Sequence, residues 1–527
     1  MNSTEESSIP ANSDEATMRK QQVALLLVSV LIVALCGIVY ELIIASVSSY
    51  LLGNSVYQFS ITIGLFMFAM GVGSYVSKWV RQDLISAFIM VEIAVALVGG
   101  ISSSLLFLMF PFYALYRPVM IALLILVGAL VGLEIPLLTR ILSRSTDWKE
   151  AIANVLSLDY LGALIGSVAF PLIMLPYLGL FSSSFAIGLL NIGVAIVSVI
   201  VFRKELTHFR RCAWASGAVC ALLIIGFLCA GQLTRFAESQ LYADGIILWK
   251  QTPYQRLVVT ENAKTSEIRL YIDKHIQFAS KDEYRYHEAL VHPVMSAEGP
   301  REHVLILGGG DGMAVREVLK FPEVETITLV DIDPEMTRLC SQFGPIRRIN
   351  EGALESEKLK ILNLDAFRFL LEYVPEVGSK QPPFDRVIID LPDPHNEVLD
   401  KLYSKEFYEI VSRCMTPGGY VVTQSSSPFF APEVFWCIRE TLDAASFQVQ
   451  SYHLAMTSFG IWGFHLGRNA PDWDFKVEIN EDKSRYLTSE VYQASTVFGK
   501  DIGPIPSPVN RTFEPKLYML YEAGLNR

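Results

Sequence analysis

Seven apolar runs follow one another over the first 235 residues, near 22–47, 55–78, 84–109, 117–138, 152–177, 179–202 and 213–232. Each matches the roughly 20 apolar residues that one helix needs to cross a hydrocarbon layer. Backbone polar groups cannot be left open in such a layer, so this half is confined to a bundle of about seven helices. The charge is split the same way. Residues 1–235 carry 13 Lys/Arg against 12 Asp/Glu, and the rest carry 30 against 42, so the net −11 lies in the second half. With 51% apolar residues the chain is neither disordered nor a small disulfide scaffold. Its acidic half is expected to repel nucleic acid. The lipid bilayer is the expected partner of the first half.

Two Gly-x-x-x-Gly pairs, Gly128/Gly132 and Gly162/Gly166, are expected to be sites of close helix packing. Four acids lie in or near the apolar runs: Glu41, Glu92, Glu134 and Asp159. At that depth they are candidates for a cation or amine site, or for pairing with another helix. Basic residues cluster at Arg19/Lys20, Lys78/Arg81, Arg140/Arg144/Lys149 and Arg203/Lys204/Arg210/Arg211, while the intervening loops hold almost none apart from Arg117. The positive-inside rule puts those clusters in the cytosol. Seven spans then carry the acidic half to the other side of an inner (cell) membrane. The unpaired set Cys340, Cys414 and Cys437 points the other way, to a cytoplasmic domain. A cytoplasmic catalytic domain is the expectation, in conflict with the positive-inside count for seven spans: either one run is re-entrant or the domain is exported.

In the second half, Ile246–Trp249, Arg256–Thr260 and Ile268–Ile272 read as strands of a small β domain, residues 236–298. Over residues 299–470 strands and helices alternate, with strands at Val304–Leu307, Thr326–Val330, Lys360–Leu362, Arg386–Ile389 and Tyr420–Thr423. This predicts a doubly wound, Rossmann-like α/β domain of the methyltransferase type, with ligands at the carboxyl ends of the strands. Residues 1–20 are expected to be disordered, and the proline-bearing tail, 471–527, to wrap the surface without chemistry.

The first βα turn is Gly308-Gly309-Gly310-Asp311-Gly312. Its glycines let the backbone approach a nucleoside, and Asp331, ending the next strand, is placed for the ribose hydroxyls. Asp311 puts a carboxylate where a dinucleotide pyrophosphate would be repelled and a sulfonium or amine favoured; its alternative role is a helix cap. The fourth strand ends in Asp390-Leu391-Pro392-Asp393-Pro394, two acids able to hold an ammonium group and take its proton. No metal-ligand motif occurs.

Taken in order, these strings resemble the spermidine synthase (polyamine aminopropyltransferase) family over about Trp249–Arg468. The matches are Tyr254-Gln255, then Gln277 with Asp282-Glu283-x-x-Tyr286-His287-Glu288 and His292-Pro293, then Gly308–Gly312 with Arg316-Glu317-Val318-Leu319. They continue with Asp331, Asp365-Ala366, Asp390-x-x-Asp393-Pro394 and Gly460-x-Trp462-Gly463-Phe464. The resemblance implies aminopropyl transfer from decarboxylated S-adenosylmethionine, as co-substrate, to a small amine. No cofactor is tightly bound. Asp390 would accept the proton, aided by Tyr286. His287 and Asp311 would hold amine ends of donor or product, and Asp393 the acceptor. Gln255, Gln277, Asp331, Asp365 and Ala366, with the Gly308 and Gly310 turn, would hold the nucleoside. A homodimer is implied by resemblance alone.

Three departures fall on the acceptor side: His395–Leu399 in place of the family's Gly-Pro-Ala loop, Gln424-Ser425-Ser426 without the usual acid, and Met456–Phe459 in place of Pro-Thr-Tyr-Pro. Putrescine is the expected acceptor. A membrane aminolipid, or a non-catalytic polyamine sensor or transporter, are the alternatives.

Overall fold

The computed structural model describes residues 20–52, 55–110, 112–145, 147–239, 241–374, 383–470, 473–474 and 476–525. The chain forms two compact units, Met1–Leu241 and Tyr242–Arg527. Apart from Lys20, the segment expected to be disordered lies outside the described residues.

The first unit holds seven helices: α1 (Lys20–Leu52), α2 (Ser55–Val76), α3 (Leu84–Met109), α4 (Tyr113–Leu142), α5 (Trp148–Ala169), α6 (Leu175–Val201) and α7 (Phe209–Ser239). Both Gly-x-x-x-Gly pairs are contact points. A Cβ at Gly162 would stand 2.2 Å from the Leu31 carbonyl oxygen, and one at Gly166 2.9 Å from that of Leu35, so α5 packs tightly and parallel to α1. Gly128 and Gly132 on α4 meet the Phe66 and Met70 carbonyls of α2 in the same way, at 2.9 and 2.1 Å.

Side chains fix the remaining directions. Tyr50 stacks near Phe107 at 5.9 Å and Tyr40 fills the space beside Gly99, so α3 runs with α1. Ser48 reaches Met120 at 2.9 Å while Gly37 abuts Val131, so α4 runs against it. Ser184 Oγ donates to the Gly99 and Gly100 carbonyls at 2.9 Å and Asn191 Nδ2 to that of Glu92 at 3.1 Å, so α6 opposes α3. Gly188 packs on Leu223 and Gly226 on Phe185, so α7 opposes α6.

The order is therefore up and down throughout. Among the described residues six apolar helical stretches are long enough to cross a membrane, one of them 54 residues, Trp148–Val201. Such a stretch would be about 80 Å long if straight. It instead passes through a π-helical turn at Phe170–Met174 and an extended Gly179 (φ 73°, ψ 179°). Because α5 runs with α1 and α6 against α3, it folds back as two antiparallel helices, and the described bundle consists of seven helices of alternating direction. Glu92 and Glu134 are fully buried and Glu41 nearly so, and none of the three has an ion-pair partner among the described residues.

The second unit starts with an antiparallel sheet of β1 (Gly245–Gln251), β2 (Arg256–Glu261), β3 (Ile268–Ile272) and β4 (His275–Ala279). β4 escaped the sequence reading because His275 and Gln277 dilute its apolar alternation. Next come α8 (Glu283–Ser296), β5 (His303–Gly308), α9 (Met313–Leu319), β6 (Thr326–Val330), α10 (Pro334–Gln342), α11 (Gly344–Ile349), β7 (Leu359–Leu362), α12 (Ala366–Tyr373) and β8 (Phe384–Asp390). The chain ends with α13 (Glu397–Asp400), α14 (Lys405–Cys414), β9 (Met415–Gln424), α15 (Pro432–Ala444), β10 (Gln448–Met456), β11 (Gly460–Arg468), α16 (Ser489–Ser495) and α17 (Leu517–Leu525).

The large sheet has the order β10-β11-β9-β8-β5-β6-β7. β9 through β7 are parallel, whereas β10 and β11 are antiparallel. The sheet is thus mixed, not wholly parallel as the alternation suggested. α8 belongs to its helical cover, since Ala289, Leu290 and Val294 share one core with Ile306 of β5 and Val422 of β9. The tail is not merely a wrap either: Leu517 and Tyr521 enter the core on the other face.

Candidate active site

Sheet register brings the key strings together. β5 and β8 are neighbours with Gly308 beside Asp390, at the carboxyl ends where open α/β sheets bind ligands. Gly308 turns at φ 82°, and a Cβ there would lie 2.0 Å from the Asp390 carbonyl oxygen. No other residue fits. Around this point lies a cleft of about 380 Å³, whose lining includes all twelve residues singled out from the sequence.

On one side Tyr286 Oη donates to Asp390 Oδ1 at 2.7 Å. Burial pushes the Asp390 carboxyl up to about 6, and Asp311 adds to the rise, against the charge of His287 and the bond from Tyr286. Burial, reinforced by Asp390, holds the Tyr286 phenol well above its ordinary value, so Tyr286 keeps its proton. Asp311 caps a helix and also lines the cleft. Its Oδ1 accepts from Met313 N at 2.8 Å, capping α9, while Oδ2 faces His287 Nε2 at 3.9 Å.

His287 lines the cleft from α8. Its Nδ1 lies 2.9 Å from Glu283 Oε2 and 2.8 Å from the Glu283 carbonyl, and its other nitrogen faces Asp311. Burial would lower this imidazole, but the bond to Glu283 and the charges of Asp311, Glu283 and Asp390 outweigh it and raise it to about 9. Its Nδ1 is thus held by Glu283, while Nε2 faces Asp311 beyond hydrogen-bond distance.

The nucleoside side is built on Asp331. Its Oδ2 accepts from Gly310 N at 3.0 Å and its Oδ1 from Asp333 N at 2.8 Å. Burial raises its carboxyl to about 6. Gln255 Nε2 donates to Asp333 Oδ2 at 3.0 Å, so its amide is already positioned at the cleft wall. Gln277 Nε2 donates to the His275 carbonyl at 3.2 Å. Asp365 caps α12 through Arg368 N at 2.9 Å and meets Lys401 at 3.3 Å.

Asp393 lines the same cleft as Asp390 and is raised by burial to about 6, against hydrogen bonds from Tyr521, Gln424 and Ser426. Gln424 Nε2 lies 3.3 Å from Asp393 Oδ1 and 2.6 Å from the Leu391 carbonyl, and Trp462 Nε1 donates to Gln424 Oε1 at 3.2 Å. Tyr403 Oη donates to the carbonyls of Leu391 and Pro392 at 3.1 and 3.0 Å, pinning the loop between the two acids. The altered acceptor loop has a visible consequence: His395 stacks on His275 at 4.7 Å and 22°, bridging the small sheet and the loop over the cleft. Burial, then His275, lowers His395 to about 4, so it is neutral near pH 7.

Sequence reasoning missed Gln424, Tyr403, Lys401 and the His275–His395 pair as site residues. Position at the end of β9 was the available signal for Gln424; the others are brought in by tertiary contacts. It also missed the buried support behind the site. Arg316 is bidentate to Glu283 at 3.0 and 2.9 Å and reaches Glu317 at 3.0 Å. Glu317 also takes His292 and Lys320, each at 2.7 Å. Burial notwithstanding, these partners hold its carboxyl down at about 2.

Comparison with known proteins fits this geometry. The Spermine/spermidine synthase domain matches residues 283–477. The polyamine aminopropyltransferase of Leptospira interrogans is 42% identical over 502 residues, 95% of this chain and 99% of that one. Polyamine aminopropyltransferase 1 of Streptomyces coelicolor is 42% identical over 488 residues, 90% of each. These alignments run through the helical unit as well as the α/β unit. A solved spermidine synthase in complex with the transition-state analogue AdoDATO aligns at 24% identity and a TM-score of 0.44, over 48% of this chain and 85% of that one. The chain belongs to the polyamine aminopropyltransferase family, and it is an enzyme whose co-substrate is decarboxylated S-adenosylmethionine.

Proposed function

We propose that this enzyme sits in the cell membrane through its seven-helix unit and transfers the aminopropyl group to putrescine, giving spermidine and 5′-methylthioadenosine. The observation that carries the reaction is the Tyr286–Asp390 pair at 2.7 Å, with Asp393 lining the same cleft. The amine nitrogen attacks the carbon bonded to the sulfonium. The C–S bond breaks with its electron pair leaving on sulfur, and Asp390 takes the ammonium proton. Sulfonium is a good leaving group, so the protein's task is to align a deprotonated amine with that carbon. Tyr286 orients Asp390, Asp311 holds the donor's amino end, and Asp393 holds the far ammonium of the acceptor. Gln255, Gln277, Asp331, Asp365 and Ala366 line the nucleoside side. The acceptor end is walled by buried side chains (Tyr403, Gln424, Tyr521), which favours a slim diamine over an aminolipid headgroup.

Orientation follows from parity. Seven passes bring the end of α7 out opposite to the start of α1, and the basic clusters all lie on the α1-start side. By the positive-inside rule the catalytic unit then faces away from the cytosol. Cys340, Cys414 and Cys437 are all buried, so their unpaired state no longer argues for the cytoplasm. Cysteine-accessibility labelling of single cysteines introduced at Trp148 and Lys264 would test this: labelling from the same side of sealed vesicles refutes it. If a homodimer forms, the outer strand β1, with Ile247 and Trp249 exposed, is its surface.

The reaction is tested with detergent-purified enzyme, decarboxylated S-adenosylmethionine and a panel of amines, following 5′-methylthioadenosine by mass spectrometry. Release with putrescine that Asp390→Asn abolishes supports the reading. Release only with lipid or another amine refutes the acceptor.

A further inference from the structure

The last helix of the chain enters the site. Tyr521, on α17, donates from its phenol to Asp393 Oδ2 at 3.1 Å, across 128 residues of sequence. It is 7% exposed. Ser426 Oγ approaches the same oxygen at 3.4 Å, from a residue held at φ 62°. Gln424 supplies the third contact, on Oδ1.

This helix is fastened, not merely laid against the unit. Tyr518 N donates to Asp400 Oδ2 at 3.0 Å, and Asn510 Nδ2 donates to Asp400 Oδ1 at 2.5 Å. Asn510 Oδ1 in turn accepts from Lys516 N at 2.9 Å. Leu517 is fully buried, and a Cβ at Gly524 would stand 3.0 Å from the Phe430 carbonyl oxygen. Asp400 closes α13, ten residues after Asp390, so the tail holds the loop both at Asp393 and at its far end.

We propose that Tyr521 is a positioning residue for the acceptor amine: it fixes one oxygen of Asp393 so that the other side of the carboxylate meets the amine's far ammonium. The inference rests on Asp393 as the acceptor anchor. Removing the phenol frees the carboxylate to rotate and also removes a donor that favours its charged form. Acceptor recognition weakens and the donor site is untouched.

The test uses the full-length enzyme in detergent with putrescine, and the variants Tyr521→Phe, Ser426→Ala, Asp393→Asn and Tyr492→Phe. The last removes another buried tail phenol, bonded to Gln450 at 2.8 Å and remote from Asp393. Tyr521→Phe is expected to raise KM for putrescine about tenfold, the loss of roughly one charge-assisted hydrogen bond, with KM for the donor unchanged. The acid limb of the pH profile moves to higher pH. Ser426→Ala does the same more weakly, and Tyr492→Phe leaves both readouts alone.

If Tyr521→Phe matches the wild type in putrescine KM and acid limb, or if Tyr492→Phe shifts them equally, the positioning role is overturned. Should Asp393→Asn leave putrescine KM unchanged, it is the assignment of Asp393 that fails, and this inference with it.

Discussion

In the helical unit Glu92 and Glu134 are fully buried with no ion-pair partner among the described residues, whereas in the catalytic unit Glu283 and Glu317 are just as buried and both bonded to Arg316. Removing one partner of a buried, bonded charge pair leaves an uncompensated charge, which is far costlier than removing an acid that has no partner. The α/β unit uses acids as fixed parts of a scaffold: Glu283 holds His287, His287 faces Asp311, and Arg316 ties Glu283 to Glu317. Among the described residues the helical unit shows no such scaffold, and its close packing comes from glycines against carbonyl oxygens.

Four experiments sharpen or break that contrast. Asp390→Asn is expected to lower kcat about 10²–10⁴-fold, the range for losing a positioned general base, with little change in folding; steady-state kinetics and thermal unfolding together check this. Glu317→Gln should destabilise the catalytic unit by about 3–5 kcal/mol, because Arg316, His292 and Lys320 lose their shared carboxylate. Denaturant unfolding that moves by less than ~1 kcal/mol would show the network to be ornamental.

The third is a pH series. kcat/KM should fall below roughly pH 6, as the raised Asp390 and Asp393 carboxyls take protons. It should fall again above about 9, as His287 loses its charge. The same histidine contributes to stability with a definite sign. Its folded value lies above the unfolded one, so the contribution is complete below about 6.5 and is lost as pH rises through about 9. An unfolding midpoint flat across that upper window would contradict the bonded imidazolium. Smallest of all, Glu134→Gln should leave the apparent Tm of the helical unit unchanged or slightly raised. A clear drop would mean that the acid has a partner after all.

The site was more legible than its surroundings. Gly308–Gly312, Asp331 and Asp390-x-x-Asp393 each end a strand, and sheet topology converts that shared position into one cleft. The seven runs were visible because apolar length is local, and the break at Gly179 falls where the fifth and sixth runs separate. β10 and β11 were hidden because Gln448, Gln450, Gly460 and Gly463 blur their alternation, although β11 carries the late Gly-x-Trp-Gly-Phe string. A string gives the place of His287 but not its neighbours; that Glu283 one turn earlier bonds its Nδ1 is seen only in the fold. Tyr521 had no local signal at all, since only the fold brings residue 521 to residue 393.

The bond from the last helix to Asp393 also bears on how the molecule is made and handled. Chains fold in the order they are synthesised, amino-terminal parts first. The donor half of the cleft is complete once β9 has joined the sheet, while the acceptor half waits for the final turn of the chain. On the proposed roles, a nascent or carboxyl-clipped enzyme would carry a nucleoside cradle with its amine anchor loose. An affinity tag fused just beyond α17 would follow the bond from Tyr521 to Asp393 by only a few residues of sequence, so the amino-terminal end is the better place for one.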